Sequence, residues 1–79
     1  MRMTLRTEQV IGRRIRELRE RAGLTIEQLA DKAGKSGMTL RNLERGRFVP
    51  DLATIDAFAG ALNVKTGELV DGPRRKRAS

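Results

Sequence analysis

Between Thr25 and Gly46, two short apolar-patterned stretches are separated by only Gly34 and Lys35. Each opens on a residue suited to cap a helix. Thr25, with Gln28 three positions on, fits the reciprocal capping box, and Ser36 starts the second stretch. Two helices with so short a link must cross steeply, at roughly 90–120°. A steep, close crossing needs a small side chain where the backbones approach, and Ala30 supplies it. The link itself needs a residue that tolerates positive φ, which is Gly34. Leu29, Ala33, Leu40 and Leu43 then fill the angle between the two helices. This corner restricts the chain to a helical architecture more than any other feature does.

The flanking sequence agrees. From Glu8 to Ala22, apolar residues recur at Ile11, Ile15, Leu18 and Ala22, one stripe of a helix capped by Thr7 and stopped by Gly23. Arg13, Arg16, Glu17 and Glu20 fall on its other faces. The helix opened by Ser36 runs to about Arg45, with Gly46 as its stop. Arg47 to Pro50 reads as a loop, and Asp51 caps a fourth helix with Leu52, Ile55, Phe58, Ala59 and Leu62 on its stripe. Asn63 closes that helix in the left-handed conformation, and Thr66 is expected to cap a last short helix through Leu69 and Val70. Phe48 and Val49 are expected to pack onto the fourth helix, with a patch for a partner as the alternative. No stretch alternates with period two. The expected fold is all-α, a compact five-helix domain. Its organisation is an N-terminal arm (1–6), the domain proper (7–70) and a disordered basic tail (71–79).

Composition narrows the chemistry. The chain has 79 residues and neither Cys nor His. Disulfides, Cys/His zinc sites, thiol nucleophiles and imidazole catalysis are thereby excluded, and no metal or cofactor is expected. So short a chain cannot hold both a core and a deep catalytic cleft. The carboxylates include no obvious catalytic pair and the glycines form no phosphate loop, so an enzyme is not expected. No run is long and apolar enough for a membrane span and residues 1–6 lack a secretory apolar core, which leaves a cytoplasmic protein as the expectation. The formal charge is +7. Seven Arg face three Glu over residues 1–21, and four bases face one Glu over residues 35–50. Such a balance fits a polyanionic partner, although solubility accounts for it equally well on charge alone. With Phe48 and Phe58 the only aromatics, stacking on single strands is disfavoured.

A small residue at 30, Gly four later, and Leu six and nine beyond that Gly make a helix-turn-helix pattern. That geometry pushes the second helix out as a rod for the major groove. A longer resemblance surrounds it. Ile11-Gly12, Ile15-Arg16-Glu17-Leu18-Arg19, Gly23-Leu24-Thr25, Leu29-Ala30, Gly34, Leu43-Glu44-Arg45-Gly46, Pro50 and Ala59 to Val64 resemble the Xre family of Cro and phage-repressor type. The likeness runs from Ile11 to Val70. It implies a lambda-repressor-like fold, double-stranded DNA as partner, transcriptional regulation, and a homodimer on inverted half-sites. An antitoxin, or another protein-interaction module that binds DNA secondarily, is the alternative.

The resemblance also implies roles. Gly37, Met38, Arg41 and Asn42 stand where the recognition helix meets base edges. Thr25, Lys35, Ser36, Arg45 and Arg47 stand at phosphate-contact positions. Arg19 and Glu44 match a structural salt bridge between the first helix and the end of the third. The chain departs from the pattern at Ile26, where a polar side chain is usual, and at Lys35, where an apolar one is. Gly37 and Met38 carry no side-chain group that hydrogen-bonds a base, so direct reading shifts to Arg41 for guanine and Asn42 for adenine. The basic run at 74–77 either grips phosphate or only solubilises the chain.

Overall fold

Glycine and asparagine stops, each in the left-handed region, divide the chain. The computed structural model describes residues 7–71, and the expectations for the arm and for residues 72–79 lie outside them. The helices are α1 (Thr7–Arg21), α2 (Ile26–Ala33), α3 (Gly37–Glu44), α4 (Leu52–Leu62) and α5 (Thr66–Asp71). After each of the first four, a residue with φ between 61° and 73° turns the chain: Gly23, Gly34, Gly46 and Asn63. The same pair of backbone bonds closes each end. At the second, the Gly34 amide donates to the Asp31 carbonyl at 3.1 Å and the Lys35 amide to the Ala30 carbonyl at 2.8 Å. This is the Schellman closure, which satisfies carbonyls that a helix end would otherwise strand.

The starts are equally local. The Thr25 hydroxyl accepts from the Gln28 amide at 3.0 Å, while the Gln28 side chain accepts from the Thr25 amide at 2.8 Å. Ser36 accepts from the Thr39 amide and Asp51 from the Thr54 amide, both at 3.0 Å. Hydrogen bonds from the Thr54 side chain and amide hold the Asp51 carboxyl below its ordinary value of 3.8. A depressed folded-state pKa gives stability that is complete above the unfolded value and lost as pH falls through the folded one. Thermal melts below about pH 4 should therefore show a loss for the native chain that Asp51→Asn lacks, because Asn caps without titrating. Equal acid slopes for the two proteins would remove this role.

One core holds the five helices. Ile11, Ile15, Leu29, Leu40, Leu43, Phe58 and Leu69 are fully buried, with Leu18, Ala30, Ile55 and Ala59 beside them. α1 packs against α3 and α5, α2 against α3 and α4, and α4 against α5. A six-residue helix does not persist alone in water. α5 is held by Leu69, whose full burial contributes about 1.5–3 kcal/mol.

Several expectations need correcting. Helix α1 starts at Thr7, expected as its cap, and ends at Arg21. Ala22 lies past that end and is exposed, because Gly23 has begun to turn the chain. Leu52, the first residue of α4, is 66% exposed, since the first turn overhangs the core. Phe48 and Val49 are also exposed, and Pro50 is the buried residue of that loop. Thr66 is the first residue of α5 rather than a free cap, and its hydroxyl donates across to the Asp56 carboxylate on α4. Of Leu69 and Val70, each expected in the core or at a dimer contact, Leu69 is buried and Val70 exposed. Arg14 sits on the buried face of α1, three residues after Ile11 and four before Leu18. It is 8% exposed, reaches Glu17 at 3.3 Å and Glu68 at 4.0 Å, and its Nε has no partner among the described residues.

Candidate nucleic-acid interface

Helix α3 has two unlike faces. Leu40 and Leu43 are wholly buried. Met38 is 67% exposed on the opposite side, with Arg41 and Asn42 half-buried and Arg45 exposed at the end. The corner that presents this helix is formed by Ala30, 2% exposed, and by Gly34 with φ 70°. Gly37 is not required by packing. A Cβ there would meet Glu27 Oε2 at 3.6 Å and Ile26 Cγ2 at 3.8 Å, ordinary contacts. That Cβ would face the start of α2, so Gly37 offers its backbone rather than a side-chain direction to anything outside.

Ile26, polar in the usual pattern, packs against the core. The hydroxyls at the two helix starts are engaged at home. Thr25 is committed to its capping box, and Ser36 also donates to the Thr39 hydroxyl at 2.9 Å. What remains outward at those starts are first-turn amides that have no acceptor within the helix. Arg45 and Arg47 are exposed after α3, and Lys35 is half-buried in the corner.

The structure brings Arg19 and Glu44 together. Arg19 Nε donates to Glu44 Oε2 at 2.7 Å and Nη2 to Oε1 at 3.0 Å, a two-pronged pair. Its third donor, Nη1, reaches the Leu24 carbonyl at 2.8 Å. Only 12% of the Arg19 side chain and 7% of the Glu44 side chain are exposed. The hydrogen bonding to Glu44 outweighs burial and raises the Arg19 guanidinium above its ordinary range. One residue thus ties α1, the turn after it and the last turn of α3, which fixes the tilt of α3 in the bundle.

Two features carried no sequence signal. Arg41 Nη2 donates to Glu27 Oε2 at 3.1 Å, across the corner and 14 residues apart. A cleft of about 240 Å³ lies between α1 and the end of α3, lined by Gln9, Arg13, Arg16, Glu44 and Arg45. Among the described residues no group of carboxylates could hold a metal ion, and no helix is long and apolar enough to cross a membrane.

Residues 10–71 match the family described as Helix-turn-helix domain. The chain is 42% identical over 60 residues to the immunity repressor protein of Bacillus phage phi105, covering 76% of this chain and 42% of that one. The chain therefore spans less than half of that relative's length. The restriction-modification controller protein C.AhdI from Aeromonas hydrophila superposes with a TM-score of 0.76 at 35% identity, over 78% of this chain and 94% of its own. The P22 c2 repressor, solved in complex with a synthetic operator, gives 0.76 at 26% identity, over 82% and 98%. A five-helix bundle in which α2 and α3 meet at a short left-handed turn is the architecture of repressor-type transcription regulators, which are not enzymes. This chain belongs to the helix-turn-helix family, in its Cro and phage-repressor branch.

Proposed function

We propose that the chain is a sequence-specific regulator that lays α3 in the major groove of duplex DNA, as a dimer on inverted half-sites in the cytoplasm, at the nucleoid. The observation that carries this reading is the split of α3 into a buried Leu40–Leu43 face and an outward face bearing Met38, Arg41 and Asn42. Arg41 reads guanine and Asn42 adenine, while Met38 and the Gly37 backbone touch base edges without donating a side-chain hydrogen bond. Thr25, Lys35, Ser36, Arg45 and Arg47 face phosphates, helped by the amides that begin α2 and α3. The P22 c2 repressor's complex with an operator supports the same use of this fold.

Arg41 must exchange Glu27 for a base. The pair is exposed on both sides, and surface pairs contribute at most about 1 kcal/mol. A bidentate base contact discriminates by about 1–3 kcal/mol, so the exchange is favourable on the right sequence and unrewarded on the wrong one. Binding measured on an operator mutated base by base should show Arg41→Ala losing preference at one guanine and Asn42→Ala at one adenine, roughly tenfold each. Unchanged preferences in both variants would reject these assignments.

Among the described residues, exposed Phe48, Val49, Leu52 and Val70 are apolar side chains available to a second copy. The same surface suits a protein partner, the antitoxin-like alternative. Co-purification of a neighbouring gene product, with no specific footprint on DNA, would favour that alternative.

A further inference from the structure

Helix α1 has no part in the contacts proposed above, yet it carries one wall of the 240 Å³ cleft. Arg13 and Arg16 are three positions apart and share a face of α1, with Gln9 one turn before Arg13. The opposite wall is the end of α3, Glu44 and Arg45. The chain closes tightly here, since a Cβ on Gly46 would come within 3.0 Å of Gln9 Cγ.

The charges of this cleft do not cancel. Both Glu44 oxygens are taken by Arg19. Arg16 pairs with Glu20 at 3.2 Å in an exposed i,i+4 pair, the kind that exchanges partners at little cost. Arg13 and Arg45 have no ion-pair partner among the described residues. Three guanidinium groups therefore line a concavity whose single carboxylate among the described residues is already spent. The cleft is smaller than the roughly 300–1,000 Å³ usual for a bound cofactor or metabolite. It suits a compact, doubly accepting anion, and the guanidinium fork matches a phosphate.

We propose that this cleft seats a backbone phosphate of the duplex, making Arg13 and Arg16 of α1 DNA contacts together with Arg45. The proposal rests on the DNA-binding reading above, because Arg45 ends the helix that enters the groove. It adds a contact on the α1 side of α3, independent of base sequence.

The test is the salt dependence of duplex binding by the full chain, measured by fluorescence anisotropy on an operator and on a random duplex. Each phosphate contact contributes about 0.9 to the slope of log affinity against log salt. R13Q/R16Q should bind both duplexes about threefold to tenfold more weakly, with a slope shallower by about 1. K32Q/K65Q removes the same charge from exposed sites elsewhere and should keep the wild-type slope. Arg13 and Arg16 are exposed, so melting of R13Q/R16Q should match the wild type. Equal slopes for the two double variants would overturn the proposal. So would inorganic phosphate shifting the Arg13 and Arg16 side-chain NMR signals while the DNA slope stays unchanged, since the cleft would then take a free anion. Failure of the wild type to bind any duplex would instead sink the parent reading.

Discussion

Arg19→Met, with Glu44 left in place, is expected to destabilise the fold by about 3–5 kcal/mol, because it strands a buried carboxylate. The Glu44 side chain is only 7% exposed and both of its oxygens are bonded to the guanidinium that would be lost. The Leu24 carbonyl loses its donor as well. In a domain this small, each kcal/mol moves the melting temperature by about 4–8 °C, so the midpoint should fall by more than about 12 °C. The double variant Arg19→Met/Glu44→Leu should recover most of that loss, since removing both charges also removes the cost of burying them. Its DNA affinity should stay low, because nothing then ties α1 and the Leu24 turn to the last turn of α3. Thermal melts of both variants, with binding measured on the double one, check the set. A loss below 1 kcal/mol for Arg19→Met would show that the pair does not hold α3, and full binding by the double variant that it does not orient it.

Gly12→Ala should also be strongly destabilising, which reverses the usual sign. In a helix interior, Ala is normally the better residue by about 0.5–1 kcal/mol. At Gly12, however, a Cβ would lie 2.2 Å from the Leu43 carbonyl oxygen and 3.1 Å from that of Glu44. Both are backbone atoms at the end of α3 and cannot swing aside, so α1 and α3 must separate. The expected cost is about 1–3 kcal/mol or more, as for other overpacked sites. Gly60→Ala on α4 is the internal control. Nothing lies within 4 Å of a Cβ there, and the substitution should stabilise by about 0.5–1 kcal/mol. Opposite shifts in melting temperature are the expected result. Equal shifts would mean that α1 and α3 do not approach as closely as described.

These two sites show how differently parts of the chain can be read. The four helix stops and the caps at Thr25, Ser36 and Asp51 are legible because each bond spans at most five residues of sequence. Gly12 belongs to a recognisable pattern, but its purpose does not. Only the approach of a helix more than thirty residues away shows why a side chain is forbidden there. The Arg19–Glu44 pair was likewise readable through family resemblance, not through its spacing of 25 residues.

The misreadings have one common form. Ala22 and Leu52 fit a helical stripe and are exposed, while Arg14 breaks the apolar pattern of α1 and is buried. Thr66 has the chemistry of a cap and bonds Asp56 instead. A stripe defines a direction on a helix, but not how far along that direction a neighbour extends. The sequence by itself determined where helices start and stop and that α2 and α3 meet at a corner, because capping, backbone sign and periodicity act over a few residues. The tertiary structure alone decided which charges meet, among them Glu27 with Arg41 and the arginines of the α1–α3 cleft. Those encounters depend on the relative placement of whole helices, which is set by the packing of Phe58, Leu40, Leu43 and their neighbours in the core.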